Sequence, residues 1–513
     1  MTPPPEDLSL SAGDVFLHPV PDIYAGDAVT FYILADVPPN VEPNDVTVRV
    51  EVRDQFTLQG ALNGRNLAGD AIGLFAWAWD TAEDAGDHEI VVTLDPEDTV
   101  TIGDENPDNN QVVFSVPVMP AHTRPPRETG QVWHESETDC CVLHVVTNTA
   151  AYRDLEQLRL AVQAATEQAA ARLQVQPEAK VELYFIDRVI GQGGYASSYT
   201  VISYLDRNYA GGGLHEVLVH ETAHILDRQF ASDRIAFLAE GLAVWAAGGH
   251  YKQENIDQRV KALRETNLYL PLPDLINEFY DSQHEVGYLQ AAGFLNYLIN
   301  SYGWERVRSF YADVHPEAGQ PNAIAVESSL QRHFDISLGE METAWMAYLD
   351  AIPRSGQAVG DLLTTVRYYD LMRAYQLKYD PTAHFLKAWL PYPQELEQRQ
   401  LTADVTRHPK SQLNVTLEVM LHAVDQAIAA GDYNKANVIL DSLERALAND
   451  GAFIDPLGQN YSEIVTLLTS LGFQVHQVDL SGNQARVQVT EGPRLVLRAI
   501  TMALKNQDWV LLN

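Results

Sequence analysis

The chain has few cysteines, and this shortage limits the metal sites it can build. Of its 513 residues only two are cysteine, at the adjacent positions 140 and 141. No pattern of four Cys or of Cys and His residues indicates a structural zinc site. Adjacent cysteines rarely meet disulfide geometry without strain, so we interpret Cys140 and Cys141 as thiols at the start of a strand.

Basic residues and long apolar runs are also scarce. The chain carries 34 Lys and Arg against 70 Asp and Glu, a net charge of −36. This balance argues against nucleic acid or an anionic membrane as partner, because phosphate binding needs a basic surface. No apolar run reaches the ~18 residues of a membrane helix. Residues 1–7 lack a signal-peptide pattern, but a removed signal would leave the same start. We expect a secreted or extracytoplasmic protein and leave a cytoplasmic one open.

The most informative segment is His220-Glu-Thr-Ala-His224, an H-E-x-x-H pattern among apolar residues at roughly helical spacing. On a helix, His220 and His224 project from one face, where both imidazoles can bind one Zn²⁺. Glu221 lies beside that pair, where it can take a proton from a metal-bound water. The alternative is a surface helix with two solvated histidines.

A candidate third ligand is Glu240, an isolated acid within an apolar segment. A buried, unpaired carboxylate is costly, and a metal ion is a fitting partner. The alternative is an acid at the edge of an ordinary amphipathic helix. Two other histidines are not expected to be ligands. His215 lies five residues before His220, on a different helix face, and His250 follows two glycines, where we expect a helix cap.

The H-E-x-x-H pattern and the later Glu240-Gly-Leu-Ala243 resemble the gluzincin zinc metallopeptidases of the peptidase MA-like superfamily. The resemblance implies His220, His224 and Glu240 as zinc ligands and Glu221 as general base. The aminopeptidase motif G-x-M-E-N is absent; Gly191-Gln-Gly-Gly-Tyr195 stands in that region. Because that motif is the family's exopeptidase determinant, an endopeptidase is expected.

The resemblance covers most of residues 131–350, and we place a central α+β domain at 131–352, mostly helical after the H-E-x-x-H helix. By resemblance, the predicted strand at 199–205 is a sheet edge that binds an extended peptide. A purely structural strand is the alternative.

A later helix carries Tyr288 at the position of a family tyrosine that faces the zinc. The resemblance implies that Tyr288 donates a hydrogen bond to the oxyanion of the tetrahedral intermediate. Packing alone is the alternative, and Tyr280 and His284 are rival candidates.

Residues 8–118 are predicted to form an all-β sandwich, because short alternating apolar runs are separated by turn residues. The turn at 103–110, Gly-Asp-Glu-Asn-Pro-Asp-Asn-Asn, resembles the D-E-x-x-N-N turn of CARDB-type immunoglobulin-like domains. Its side-chain oxygens suit Ca²⁺, although turn formation alone explains them, so Ca²⁺ binding near Asp104–Asn110 stays open. The sandwich is a candidate surface for a protein or surface partner. A Pro-rich linker is predicted at 119–130.

Residues 356–513 are predicted to form a C-terminal α+β domain, with helices followed by four alternating strands. This order faintly resembles the nuclear-transport-factor-2-like fold, without functional residues. The whole chain is thus expected to be multidomain.

These patterns predict a zinc-dependent metallopeptidase that hydrolyses a peptide or protein substrate. One alternative is a non-catalytic binding or adhesion protein built on a metallopeptidase-like scaffold. A third hypothesis is zinc-dependent hydrolysis of a non-peptide amide or ester.

Overall fold

The computed structural model of the chain describes residues 7–82, 84–100, 103–191, 193–250, 252–492 and 495–512. Of residues 1–7, which were considered for a signal peptide, all but residue 7 therefore lie outside the described residues. Gln192, in the segment Gly191–Tyr195, also lies outside them. The chain forms two compact units, Met1–Trp133 with Pro381–Lys410, and His134–Asp380 with Ser411–Asn513. The predicted order, a β-rich N-terminal region before mainly helical central and C-terminal regions, is confirmed at this level. The finer domain assignments stay predictions.

The strands are β1 Val15–His18, β2 Ile23–Tyr24, β3 Ala28–Ala35, β4 Thr47–Val52, β5 Phe56–Ala61, β6 Ala71–Asp80, β7 Gly86–Leu94, β8 Gln111–Met119, β9 Trp133–Glu137, β10 Cys141–Val146, β11 Val181–Ile186, β12 Gly194–Ala196, β13 Thr200–Ser203, β14 Gln474–Ser481, β15 Gln484–Glu491, β16 Val496–Lys505 and β17 Asp508–Leu512. The α-helices are α1 Ala150–Arg153, α2 Leu155–Leu173, α3 Leu214–Leu226, α4 Ala236–Ala247, α5 Ile256–Glu265, α6 Leu272–Asn277, α7 His284–Tyr302, α8 Trp304–Ala312, α9 Asn322–Phe334, α10 Leu338–Ala351, α11 Gly356–Tyr379, α12 Pro393–Gln398, α13 Ala403–Thr406, α14 Gln412–Ala429, α15 Tyr433–Ala448 and α16 Pro456–Ser470.

The first unit contains two sheets, β1-β3-β6 and β2-β8-β7-β4-β5. In β4, Val48, Val50 and Val52 are buried while the intervening residues are partly exposed. This alternation follows from the two-residue period of a strand, and it buries one face of the sheet. Phe31 of β3 lies in the same hydrophobic core as the β4 valines, so the two sheets share one core.

Segment Pro381–Lys410, which falls inside the stretch predicted as the C-terminal domain, belongs to this first unit. Arg407 joins it to the β-rich region, because its buried guanidinium forms ion pairs with Asp27 at 2.5 Å and Glu128 at 2.7 Å. Removing one partner of a buried ion pair strongly destabilises the fold, because it leaves an unpaired buried charge. The ion pairs of Arg407 therefore hold the segment in place.

The acidic turn of the first unit is held by a hydrogen bond within the turn and by hydrogen bonds to Asp7. Asn110 Nδ2 donates to Asp104 Oδ2 at 2.7 Å. Asn109 Nδ2 donates to Asp7 at 3.0 Å, and the backbone N–H of Glu105 donates to the same carboxylate at 2.8 Å. The bonds to Asp7 join the turn to a segment about 100 residues earlier in the chain. Calcium binding at this turn stays an open prediction.

The second unit opens with a five-stranded sheet in the order β12-β13-β11-β10-β9. Strands β10, β11 and β13 are parallel, and β12 pairs antiparallel with β13. The predicted strand at 199–205 therefore lies inside the sheet as β13, and its prediction as the edge is wrong. The edge is the short strand Gly194–Ala196, because the chain folds back before β13 and adds one more strand.

The interpretation of Cys140 and Cys141 as free thiols is also wrong, because the structure joins them in a disulfide. The chain bends at residues 139–140, immediately before β10 begins. Neighbouring side chains alternate between faces only within a regular strand, so the bend removes the alternation that would separate the two sulfurs.

The second unit ends in an antiparallel sheet in the order β14-β15-β16-β17, and helices α14 and α16 contact its first strand. The strands predicted near the C-terminus are therefore present. Among the residues that the structure describes, no helix is both long and apolar enough to cross a bilayer.

Candidate metal centre

Helix α3 carries the H-E-x-x-H pattern and begins after Gly213. Its apolar positions, including Leu218 and Ala223, are buried in the core of the second unit, where α3 contacts α2 and α4. One helical turn separates His220 from His224, so both rings leave the same face, as the spacing predicts.

Helix α4 packs very close to α7 and directs Glu240 towards the face of α3 that carries His220 and His224. A Cβ added at Gly241 would be 2.8 Å from both the carbonyl carbon and the oxygen of Ala291. Only glycine therefore permits this separation between α4 and α7. The glycine after Glu240 thus has a structural role, which is to let α4 approach its neighbour while the carboxylate faces α3.

Three donor atoms converge between α3 and α4. The Nε2 atoms of His220 and His224 are 3.1 Å apart, and Glu240 Oε2 is 3.0 Å from the first and 3.2 Å from the second. Tetrahedral ligands at ~2.05 Å from a zinc ion would be separated by about 3.3 Å. Two His and one Glu are a donor set of catalytic zinc sites, in which a fourth position stays open. The side chains therefore fit a zinc ion in number, type and spacing.

The electrostatics of the three side chains also favour a cation. Burial would lower the pKa of His224, but the Glu240 carboxylate raises it to about 9. Burial would raise the pKa of Glu240, yet the two imidazoles hold it well below its ordinary value. The carboxylate is therefore ionised at neutral pH, and it attracts positive charge in the form of a proton or a metal ion.

Glu221 lies next to the donor atoms and is 7 % exposed. Burial raises the pKa of its carboxyl group, while the neighbouring imidazoles of His220 and His224 oppose that shift. A carboxylate with a raised pKa accepts a proton more readily near neutral pH, as a general base must.

The predicted tyrosines occupy different places around the centre. The ring of Tyr288 stacks on that of His220, with centroids 6.2 Å apart. Tyr280, the rival candidate, donates its hydroxyl hydrogen to Glu240 Oε1 at 3.2 Å. That contact orients a candidate ligand, as outer hydrogen bonds do at metal sites. The ring of the other rival, His284, lies 4.4 Å from that of Tyr288 between centroids and is tilted 46° to it.

The C-terminal end of α3 is held by a buried acid. Asp227 accepts hydrogen bonds from Tyr311 at 2.6 Å and from Arg234 at 2.5 Å. Arg234 also donates to the backbone oxygen of His224 at 3.1 Å. This arrangement fixes the turn of α3 that carries His224.

A cleft opens beside the donor atoms, with about 390 Å³ of empty space that includes open solvent. Glycines form part of its wall, and the lining residues are Gly194, Gly211, Glu216, Val217, His220, Glu221, Gly249, His250 and Tyr369. Edge strand β12 contributes Gly194, so bare backbone borders the cleft next to Glu221. Tyr369 comes from α11, in the region that sequence analysis assigned to a C-terminal domain without chemistry.

The two histidines excluded as ligands have other partners. The ring of His215 lies 2.9 Å from Gln168 Oε1. The cap of α4 is Gly248, so the prediction of a capping role for His250 is wrong. The His250 ring instead lies 2.5 Å from the carboxylate of Glu285. Sequence analysis missed this pair, since 35 residues separate its members and no local pattern joins them.

Comparisons with known proteins find few likenesses. No family model matches the chain, and no curated protein matches it. One similar solved structure is a CARDB domain from Pyrococcus furiosus in complex with di-metal ions, with 20% identity and a TM-score of 0.17; the match covers 22% of this chain and 88% of that one. Another is a metallopeptidase from Bacteroides thetaiotaomicron, with 9% identity and a TM-score of 0.22; it covers 98% of this chain and 85% of that one. At such TM-scores neither likeness contributes to the function proposed below.

Proposed function

We propose that the chain is a zinc-dependent endopeptidase of the gluzincin type. His220, His224 and Glu240 would hold the metal, Glu221 would act as general base, and Tyr288 would stabilise the oxyanion. The observation that carries the proposal is the convergence of three donor atoms from two helices, all within 4.8 Å of one another. Glu221, a second buried carboxylate, borders the same cleft.

A zinc ion bound there would supply Lewis-acid chemistry, polarising a carbonyl group and lowering the pKa of water to ~7. The chain's own residues do the rest. Glu221 takes the proton of the attacking water and passes it to the leaving amine. Its burial supports this role, because a desolvated carboxylate is a stronger base than one in water.

Tyr288 is proposed to donate its phenol hydrogen to the oxygen on which negative charge develops. The stacking of its ring on His220 brings this side chain beside the metal ligands. A donor fixed in place before the reaction lowers the barrier by ~3 kcal/mol, because no reorganisation is needed when the charge forms.

The cleft suits an extended main chain. Gly194 of edge strand β12 borders it, and the free edge of a sheet can pair with a peptide through backbone hydrogen bonds. Peptide or protein substrates are therefore proposed, and an extracytoplasmic location stays a prediction.

Metal analysis of the purified protein and digestion of a peptide library, with and without chelator, test this function. We expect about one zinc per chain, cleavage within peptides, and loss of cleavage when the metal is removed. A folded protein that binds no metal would instead favour the non-catalytic binding protein. Cleavage of esters or non-peptide amides, with all peptides left intact, would favour the third hypothesis.

A further inference from the structure

A histidine outside the metal centre lines the same cleft as Glu221. The side chain of His250 is only 4 % exposed, and its Nδ1 lies 2.5 Å from Glu285 Oε2. Glu285 is buried, and its pKa is lowered by its partners, so the carboxylate accepts the hydrogen bond and Nδ1 is the donor. The other ring nitrogen, Nε2, lies on the opposite edge of the ring.

Aromatic rings hold the imidazole of His250 in position. Its centroid is 4.8 Å from that of Tyr288, and the two ring planes differ by 26°. Tyr369, which also lines the cleft, stacks at 5.6 Å with an interplanar angle of 24°. Glu285 thus holds the Nδ1 edge of the ring, two tyrosine rings stack on it, and His250 lines the cleft.

The contact that orients His250 is costly to bury. Glu285 is fully buried and is also paired with Arg259. Arg259 forms further ion pairs with Glu254 at 3.2 Å and with Asp361 at 3.0 Å, and all these side chains are less than 10 % exposed. Burying such ions costs several kcal/mol each, and apolar residues of similar volume are often as stable. Such a cluster beside a cleft is therefore better explained by the orientation it imposes than by stability.

We propose that His250 contacts the bound peptide, forming a hydrogen bond through Nε2 close to the scissile bond. Glu285 and Arg259 are positioning residues that hold its ring. This inference rests on the proposed peptidase function and adds a substrate-contacting residue to it. If His250 only packed against the tyrosines, a phenylalanine would serve as well and would need no buried acid.

The variant His250→Phe tests the proposal because it keeps the ring stacking and removes both nitrogens. Glu285 stays paired with Arg259, so the fold is expected to persist. We expect kcat/KM on a fluorescence-quenched peptide to fall at least tenfold, with unchanged zinc content. His250→Gln, whose amide can reach the position of Nε2, should recover part of that loss. Glu285→Gln, which keeps a hydrogen-bonding group but loses the charge, should lie between wild type and His250→Phe.

His315→Phe is the matched control, since His315 forms an exposed pair with Asp233 at 3.1 Å. It should match wild type in kcat/KM.

A second measurement avoids turnover, namely the affinity of the zinc-loaded Glu221→Gln protein for the same labelled peptide. Adding His250→Phe should weaken that affinity at least fivefold.

The outcomes separate the two proposals. If wild type cleaves peptides and Glu221→Gln does not, but His250→Phe equals wild type in rate and affinity, the role of His250 is refuted and the peptidase function stands. Failure of His250→Gln to exceed His250→Phe in kcat/KM would also count against the hydrogen bond. If wild type neither binds nor cleaves any peptide, the peptidase function itself fails.

Discussion

Replacing Glu221 by Gln tests the general base with the smallest change in shape. The side chain is buried next to edge strand β12, where a Cβ at Gly194 would lie 3.2 Å from Glu221 Cγ. A glutamine has nearly the same volume and should fit this space. It cannot accept a proton near neutral pH, so the substitution removes the base and leaves the packing.

The expected loss follows from the role of a general base, which contributes roughly 10²–10⁴-fold to rate. We expect kcat to fall about 10³-fold, or ~4 kcal/mol of barrier. Zinc content should not fall, because the three donor atoms belong to other residues. Glu221 is also one of the charges that raise the pKa of His224. Its removal should therefore lower that pKa.

The assay combines metal content by mass spectrometry with hydrolysis of a quenched peptide. Glu240→Gln is the matched control, since it makes the same chemical change at a proposed ligand and should lose zinc together with activity. Wild-type rates in Glu221→Gln would refute the assignment of the base. Zinc loss in Glu221→Gln with zinc retained in Glu240→Gln would show that the two roles are reversed.

Three further predictions concern packing, pH and the oxyanion. Gly241→Ala should lower the free energy of unfolding, measured by urea denaturation, by ~1–3 kcal/mol, because the added Cβ would meet the backbone of α7. In the control Gly339→Ala the added Cβ meets nothing within 4 Å, so the free energy of unfolding should not fall. In the metal-free protein the pKa of His224 is raised to about 9. The protonated imidazole therefore contributes fully to the free energy of unfolding below pH ~6.5, and this contribution is lost as the pH rises towards 9. Zinc must displace that proton, so affinity measured against a chelating dye should rise about tenfold per pH unit over this range, and a flat profile would contradict the ligand set. Tyr288→Phe should lower kcat about 10²–10³-fold with zinc retained, whereas Tyr280→Phe should weaken zinc binding; equal effects on both quantities in the two variants would argue against separate roles.

The sequence by itself determined the features that depend on local periodicity. The spacing of His220 and His224 places both rings on one face of any helix that contains them. The alternation of valines in β4 likewise decides which side of that strand is buried. The strands near the C-terminus are recognisable for the same reason. Such patterns specify which residues share a face, because a helix and a strand each repeat with a constant period.

Only the tertiary structure decided which faces meet. It brings Glu240 to the imidazoles through the close approach of α4 and α7, and it separates Tyr280, which contacts Glu240, from Tyr288, which stacks on His220. It also pairs His250 with Glu285 beside the cleft. These contacts join residues from different elements, and no local period relates them. Their partners are selected by the packing of whole helices, which a pattern within one segment does not contain.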